Sequence, residues 1–118
     1  MNIEELREYC LSQKASAESL PFDDNYLVFK VMDKMFALTS LNSPELAISL
    51  KCDPELAIEL RERYACVVPA YHFNKKYWNT IYLNKEMDDY KVKKWITHSV
   101  EQVINKLPKK VKALYLEL

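Results

Sequence analysis

The chain has no glycine anywhere in its 118 residues. At the usual share of ~7% about eight would be present. Glycine is the residue that enters positive φ without a Cβ clash, so every left-handed turn here must be built from Asn, Asp or a strained side chain. The absence also removes whole chemistries. A P-loop, a Rossmann fingerprint and a nucleophile elbow all depend on glycine for close backbone approach or a sharp turn, and none of them can be present.

The length is that of one domain, residues 1–118, and leaves no room for a second. Half of the residues, 49%, are apolar and 29% are charged, a composition that folds rather than staying disordered. No apolar run approaches the ~20 residues of a membrane span. The acidic opening "MNIEELREYC" is unlike a signal peptide. Cys10, Cys52 and Cys66 form neither an even set nor a CxxC pair, which argues against disulfides and structural zinc. A cytoplasmic protein with three buried thiols is expected, and a monomer.

Local signals lay out the elements. Asn2 and Glu5 make a capping box for a first helix that places Ile3, Leu6 and Cys10 on one face and fades near Ser12–Ala15. A weak strand is expected near Glu18–Phe22. "YLVFKVMDKMFALTS" reads as a hairpin turning around Met32–Lys34, and "ELAISLKC" as a further strand with Leu46, Ile48 and Leu50 on one face. Asp53, Pro54 and Glu55 are an N-cap, first position and first turn for a second helix carrying Leu56, Ala57, Leu60 and Tyr64 inward. "DDYKVKKWITHSVEQVINKL" is a long helix with a stripe through Val92, Trp95, Ile96, Ser99, Val100, Val103 and Leu107, ended by Pro108. A short last helix docks through Val111, Leu114 and Leu118. Strands early and helices late predict an α+β fold, an antiparallel sheet packed on one side by helices.

Charge is balanced overall but not along the chain. Residues 1–71 hold seven Lys/Arg and twelve Asp/Glu, a net of −5, while residues 72–118 hold ten Lys and five Asp/Glu, a net of +5. Such asymmetry points weakly to a polyanion partner. The stretch "AYHFNKKYWNTIYL", Ala70 to Leu83, sets six aromatic or histidine rings around a Lys-Lys pair. Rings that stack on bases beside amines that pair with phosphates make a nucleic-acid surface. The same letters also describe a loop entering a core strand, since Tyr77, Asn79, Ile81 and Leu83 alternate with Trp78, Thr80 and Tyr82. The first set is expected to be buried, leaving Trp78 and Tyr82 on the other face. Lys91 and Lys94 share with His98 the outer face of the long helix, where His98 is expected in solvent, and extend a basic footprint.

Catalysis and metal binding have thinner support. Thiolate chemistry would need Cys66 paired with His72, and nothing else in the pattern supplies a partner. Glu4, Glu5, Glu8, Glu18, Asp23 and Asp24 would have to gather to hold a hard cation, and their spacing matches no defined loop. No cofactor is implied.

The blocks "LPFDDNYLVFKVMDKMFALTSL", "ISLKCDPELAIELRERY", "VVPAYHFNKKYWNTIYL" and "VKKWITHSVEQVINKLPKK" together resemble the MmcQ/YjbR family of small bacterial proteins, over nearly the whole chain. The resemblance implies a CyaY-like (frataxin-like) α+β fold and a proposed DNA-binding role. Its signature corresponds to "PAYHFNKKYWN", so Pro69, Tyr71, His72, Asn74, Lys75, Lys76, Trp78 and Asn79 carry over as the family's core positions. Ala70 and Asp33 stand where the family usually has glycine, and Tyr77 where histidine is common. The expectation is a non-catalytic protein that holds DNA mainly by its backbone. Lys75 and Lys76 would meet phosphates, and Tyr71, His72, Trp78 and Asn79 would shape the loop or touch bases. Docking of a protein partner by the same loop is the alternative, and a small-molecule or metal site is a further one.

Overall fold

The computed structural model describes residues 1–21 and 23–118. Helix α1 (Ile3–Leu11) precedes strands β1 (Ser16–Ser19), β2 (Tyr26–Val31), β3 (Lys34–Ser40) and β4 (Ala47–Lys51). Then come α2 (Pro54–Arg63), β5 (Val67–Pro69), β6 (Trp78–Tyr82), α3 (Asp89–Asn105) and α4 (Lys109–Glu117). The six strands form one antiparallel sheet in the order β1-β2-β3-β4-β6-β5. This is the expected α+β architecture. No helix among the described residues is long and apolar enough to cross a membrane.

The caps read from the sequence are in place. Asn2 and Glu5 close a reciprocal capping box on α1. The Asp53 carboxylate accepts from the backbone N–H groups of Glu55 and Leu56 with Pro54 at the first helical position. The first strand begins earlier than expected, at Ser16, and Phe22 lies outside the described residues. Strand β5 was not expected. It is three residues long, and its Pro69 is tolerated because β5 is an edge strand.

The missing glycine shows at four places. Ala15, Met32, Asp33 and Asn84 all adopt positive φ, at 59°, 49°, 65° and 60°. Met32 and Asp33 form the two-residue link between Val31 and its partner Lys34, where a twisted hairpin demands left-handed backbone at both positions. Asp33 tolerates this through its short polar side chain, whereas Met32 and Ala15 do not have that help. Ala70 lies outside the left-handed region, so its methyl causes no strain and is fully buried.

The helices cover one face. Leu27, Phe29, Ile48, Leu50, Ile81 and Leu83 point from the sheet into a core shared with Leu6, Cys10, Ala57, Leu60, Val92, Ile96 and Val103. Ser99, fully buried on α3, accepts from the Lys51 N–H at 2.9 Å and donates to the Phe36 carbonyl at 2.6 Å. It thereby supplies bonds to two strand ends that the short β3–β4 ladder does not reach. Three expectations need correction. Trp95 is only half-buried, because the stripe on α3 centres on Val92, Ile96 and Val103. His98 is not in open solvent: its Nε2 accepts from the Asp53 N–H at 3.2 Å. Helix α4 docks through Val111 and Tyr115, one turn apart, while Leu114 and Leu118 are 58% and 70% exposed.

Candidate functional site

The face of the sheet away from the helices is overlain by the rings of Tyr71, His72 and Phe73 at the start of the 70–77 segment. Side chains alternate along each strand, so Lys51 and Trp78, Ser49 and Thr80, and Ala47 and Tyr82 stand opposite one another on this face. Tyr26 and Leu38 continue it on β2 and β3. The segment begins as a turn: Ala70 N–H donates to the Trp78 carbonyl at 3.1 Å, and Phe73 N–H to the Ala70 carbonyl at 3.4 Å. Phe73 stacks on Trp78 with ring centres 4.4 Å apart and planes 16° from parallel. His72 meets Tyr26 edge-on at 6.1 Å and Tyr71 edge-on at 4.9 Å. The loop is thus clipped to the sheet at two points, β6 and β2.

Asn74 and Asn79 are structural parts of this clip. The Asn74 carboxamide oxygen accepts from the Lys76 N–H at 3.0 Å, and its carbonyl from the Tyr77 N–H at 3.0 Å, which folds the two lysines outward. Asn79 is 2% exposed on the helix side of β6. Its Oδ1 accepts from Arg61 Nε at 2.6 Å, and its Nδ2 donates to the Ala57 carbonyl at 3.1 Å. A second Arg61 nitrogen donates to the Lys75 carbonyl. Arg61 therefore ties α2, β6 and the lysine loop together, a role that its place in the last turn of a helix did not suggest.

The basic residues separate into two groups. Lys75 lies 5.9 Å from the Tyr71 ring centre, and Lys76 lies 5.5 Å from that of Tyr77. Lys106, at the C-terminal end of α3, lies 4.6 Å from the same Tyr77 ring. Lys51 joins them from β4: burial first, and the neighbouring Lys106 charge second, push its amine below the ordinary lysine range. None of these four amines has a carboxylate partner among the described ion pairs. Lys91 and Lys94 are elsewhere. Lys91 is half-buried with Nζ 3.3 Å from the Tyr64 hydroxyl, and Lys94 leans over Trp95 at 5.5 Å. Fifteen residues of helix put Lys91 about 22 Å from Lys106 along α3.

The thiols sit apart from this surface. All three cysteines are free and buried. Burial pushes Cys10 and Cys52 up to about 12 and raises Cys66 as well. Cys66 lies in the core on the helix side, whereas His72 lies over the opposite face, so the two do not form a nucleophile–base pair. The acidic groups are dispersed: Arg7 holds Glu18, and the Asp23 carboxylate accepts from the Asn25 N–H. No cluster of three or more His, Cys, Asp or Glu side chains occurs among the described residues.

A single antiparallel sheet, helices on one face and a loop clipped across the other, defines the class of this molecule. The chain belongs to the YjbR family, which it matches over residues 11–102. It is 34% identical to the uncharacterized protein YjbR of Escherichia coli K12 over the full length of both chains. It is also 32% identical to the protein YbdF of E. coli O157:H7 over 90 residues, 76% of this chain and 74% of that one. Among solved structures, the Deinococcus radiodurans protein DR2400, a DUF419 domain, is similar with a TM-score of 0.90 and 34% identity, covering 97% of this chain and 87% of that one. A Pseudomonas syringae protein matches with a TM-score of 0.73 and 28% identity over 84% and 96% of the two chains.

Proposed function

We propose that this protein binds nucleic acid without catalysing a reaction, holding the phosphate backbone with Lys75, Lys76, Lys106 and Lys51. The observation that supports this reading is the gathering of Lys76 and Lys106 against the Tyr77 ring, with Lys51 beside Lys106, and no carboxylate partner for these amines among the described ion pairs. Like charges gathered this way repel one another, and a polyanion relieves that repulsion while releasing its own counterions. The contacts carry no base information, so binding is weak and tolerant of sequence. Lys91 and Lys94 fall outside the footprint.

The test is affinity for a DNA fragment at two salt concentrations, wild type against Lys75→Ala/Lys76→Ala. Wild type binds with a steep salt dependence, and the double variant binds more weakly with a slope about two units shallower. Absence of wild-type binding, or an unchanged slope, refutes the proposal.

A second reading has its own observation. Tyr71 is 81% exposed at the crest of the loop, and tyrosine is a favoured anchor at protein interfaces. Capture of one specific protein from lysate that survives nuclease treatment and is lost in Tyr71→Ala favours that reading over nucleic acid.

A further inference from the structure

Beneath the loop lies a cleft that the phosphate contacts do not use. Its floor is Leu38 with Ser49 and Thr80, whose hydroxyls share a 2.8 Å hydrogen bond. Tyr26 stands on one side and Tyr82 on the other, and the roof is formed by Tyr71 and His72. The space measures about 250 Å³ and adjoins a second of about 300 Å³ bounded by Tyr26, Leu38, His72 and Phe73.

The lining sets the chemistry of the occupant. Among the described residues around both spaces there is no Asp, Glu, Lys or Arg, so a charged ligand finds no counter-ion inside. Five rings, those of Tyr26, Tyr71, His72, Phe73 and Tyr82, border the two spaces, and the serine, threonine and tyrosine hydroxyls there can donate or accept. A neutral, flat molecule with a polar edge fits both properties, and a nucleobase has that form. Charge stands just outside: Lys75 lies 5.9 Å from the ring of Tyr71, whose edge contact with His72 is the roof itself. Base site and phosphate site are therefore adjacent, joined through Tyr71.

We infer that the cleft between the 70–77 loop and the open sheet face takes one unpaired base, so that the preferred ligand is a single strand rather than a duplex. The inference rests on the nucleic-acid reading above for its phosphate half. A base in a duplex is stacked and paired on both sides and cannot enter a roofed cleft without being turned out.

The experiment compares a single-stranded oligothymidylate of about ten nucleotides, an abasic oligomer of equal length and charge, and a duplex, each against wild type, His72→Ala and Thr80→Val. His72 is exposed and the Thr80 change nearly isosteric, so both variants fold. The expected result is that the oligothymidylate binds about five-fold or more tightly than the abasic oligomer, and that each variant loses this margin. Equal binding of oligothymidylate and abasic oligomer by wild type overturns the inference and leaves the phosphate reading standing. If neither oligomer binds, the phosphate reading fails, and free thymidine then decides the cleft by NMR. Shifts at Tyr26 and Ser49 that vanish in Thr80→Val uphold base recognition, and their absence in wild type overturns it.

Discussion

Asn79 shows how a buried residue can hold a loop it never touches. Its amide joins Arg61 to the Ala57 carbonyl, and Arg61 in turn holds the Lys75 carbonyl. Asn79→Ala leaves a guanidinium and a buried carbonyl short of partners, a loss of about 2–3 kcal/mol by urea denaturation, with faster amide exchange at residues 74–77. Ala15 presents the opposite case, a single residue that works against the fold. It is exposed at φ 59° with no polar group to ease the conformation, so Ala15→Gly raises stability by about 1 kcal/mol in the same assay. His98 carries a pH signature. Burial is the main cause that lowers its pKa, with Lys94 acting the same way and Glu101 and Asp53 opposing. The unfolded state binds the proton more readily, so this residue favours the folded state above about pH 6.5, and the contribution is lost as pH falls toward the lowered value. Urea midpoints at pH 7.5 and 5.5 drop toward acid in wild type, and the drop is smaller in His98→Asn.

At the scale of elements, helices and the central hairpin were legible because their signals are local. Asn2 with Glu5 and Asp53 with Pro54 announce helix starts within a few residues, and alternation placed Ile81 and Leu83 in the core and Trp78 and Tyr82 on the other face. What escaped was set by partners distant in the chain. Strand β5 is only "VVP" and exists because β6 pairs with it from ten to fourteen residues downstream. His98 reads as an outward position until Asp53 is found against it. Arg61 reads as a helix-end cation until the loop arrives at its guanidinium. Ser99 was legible as part of a stripe but not as a hydrogen-bond bridge. Ser99→Ala strands the Lys51 N–H and the Phe36 carbonyl, and a loss of about 1–3 kcal/mol in thermal or urea unfolding is expected.

Over the whole molecule, the charge contrast between the two halves of the chain does not become a contrast between two halves of the fold. Strand β6, from the basic half, is inserted between β4 and β5, both from the acidic half. The cationic patch accordingly draws Lys51 from the acidic half and Lys75, Lys76 and Lys106 from the basic one. A count of lysines along the sequence found the loop and α3 but could not decide which end of α3 approaches the loop. That decision has a measurable consequence. On the proposed nucleic-acid reading, Lys106→Ala reduces the salt slope of oligonucleotide binding by about one unit, whereas Lys91→Ala/Lys94→Ala leaves affinity within about two-fold of wild type.

The Phe73–Trp78 stack has a practical side. The chain has two tryptophans, and the other, Trp95, packs beside His98 on the helix side. In a Trp95→Phe background the emission of the protein comes from a single indole lying against the loop that roofs the cleft. Any ligand that lifts Phe73 alters the surroundings of that indole, so occupancy becomes a colour change readable in a cuvette without a label. A titration that binds by another measure yet leaves this emission unmoved places the ligand away from the loop.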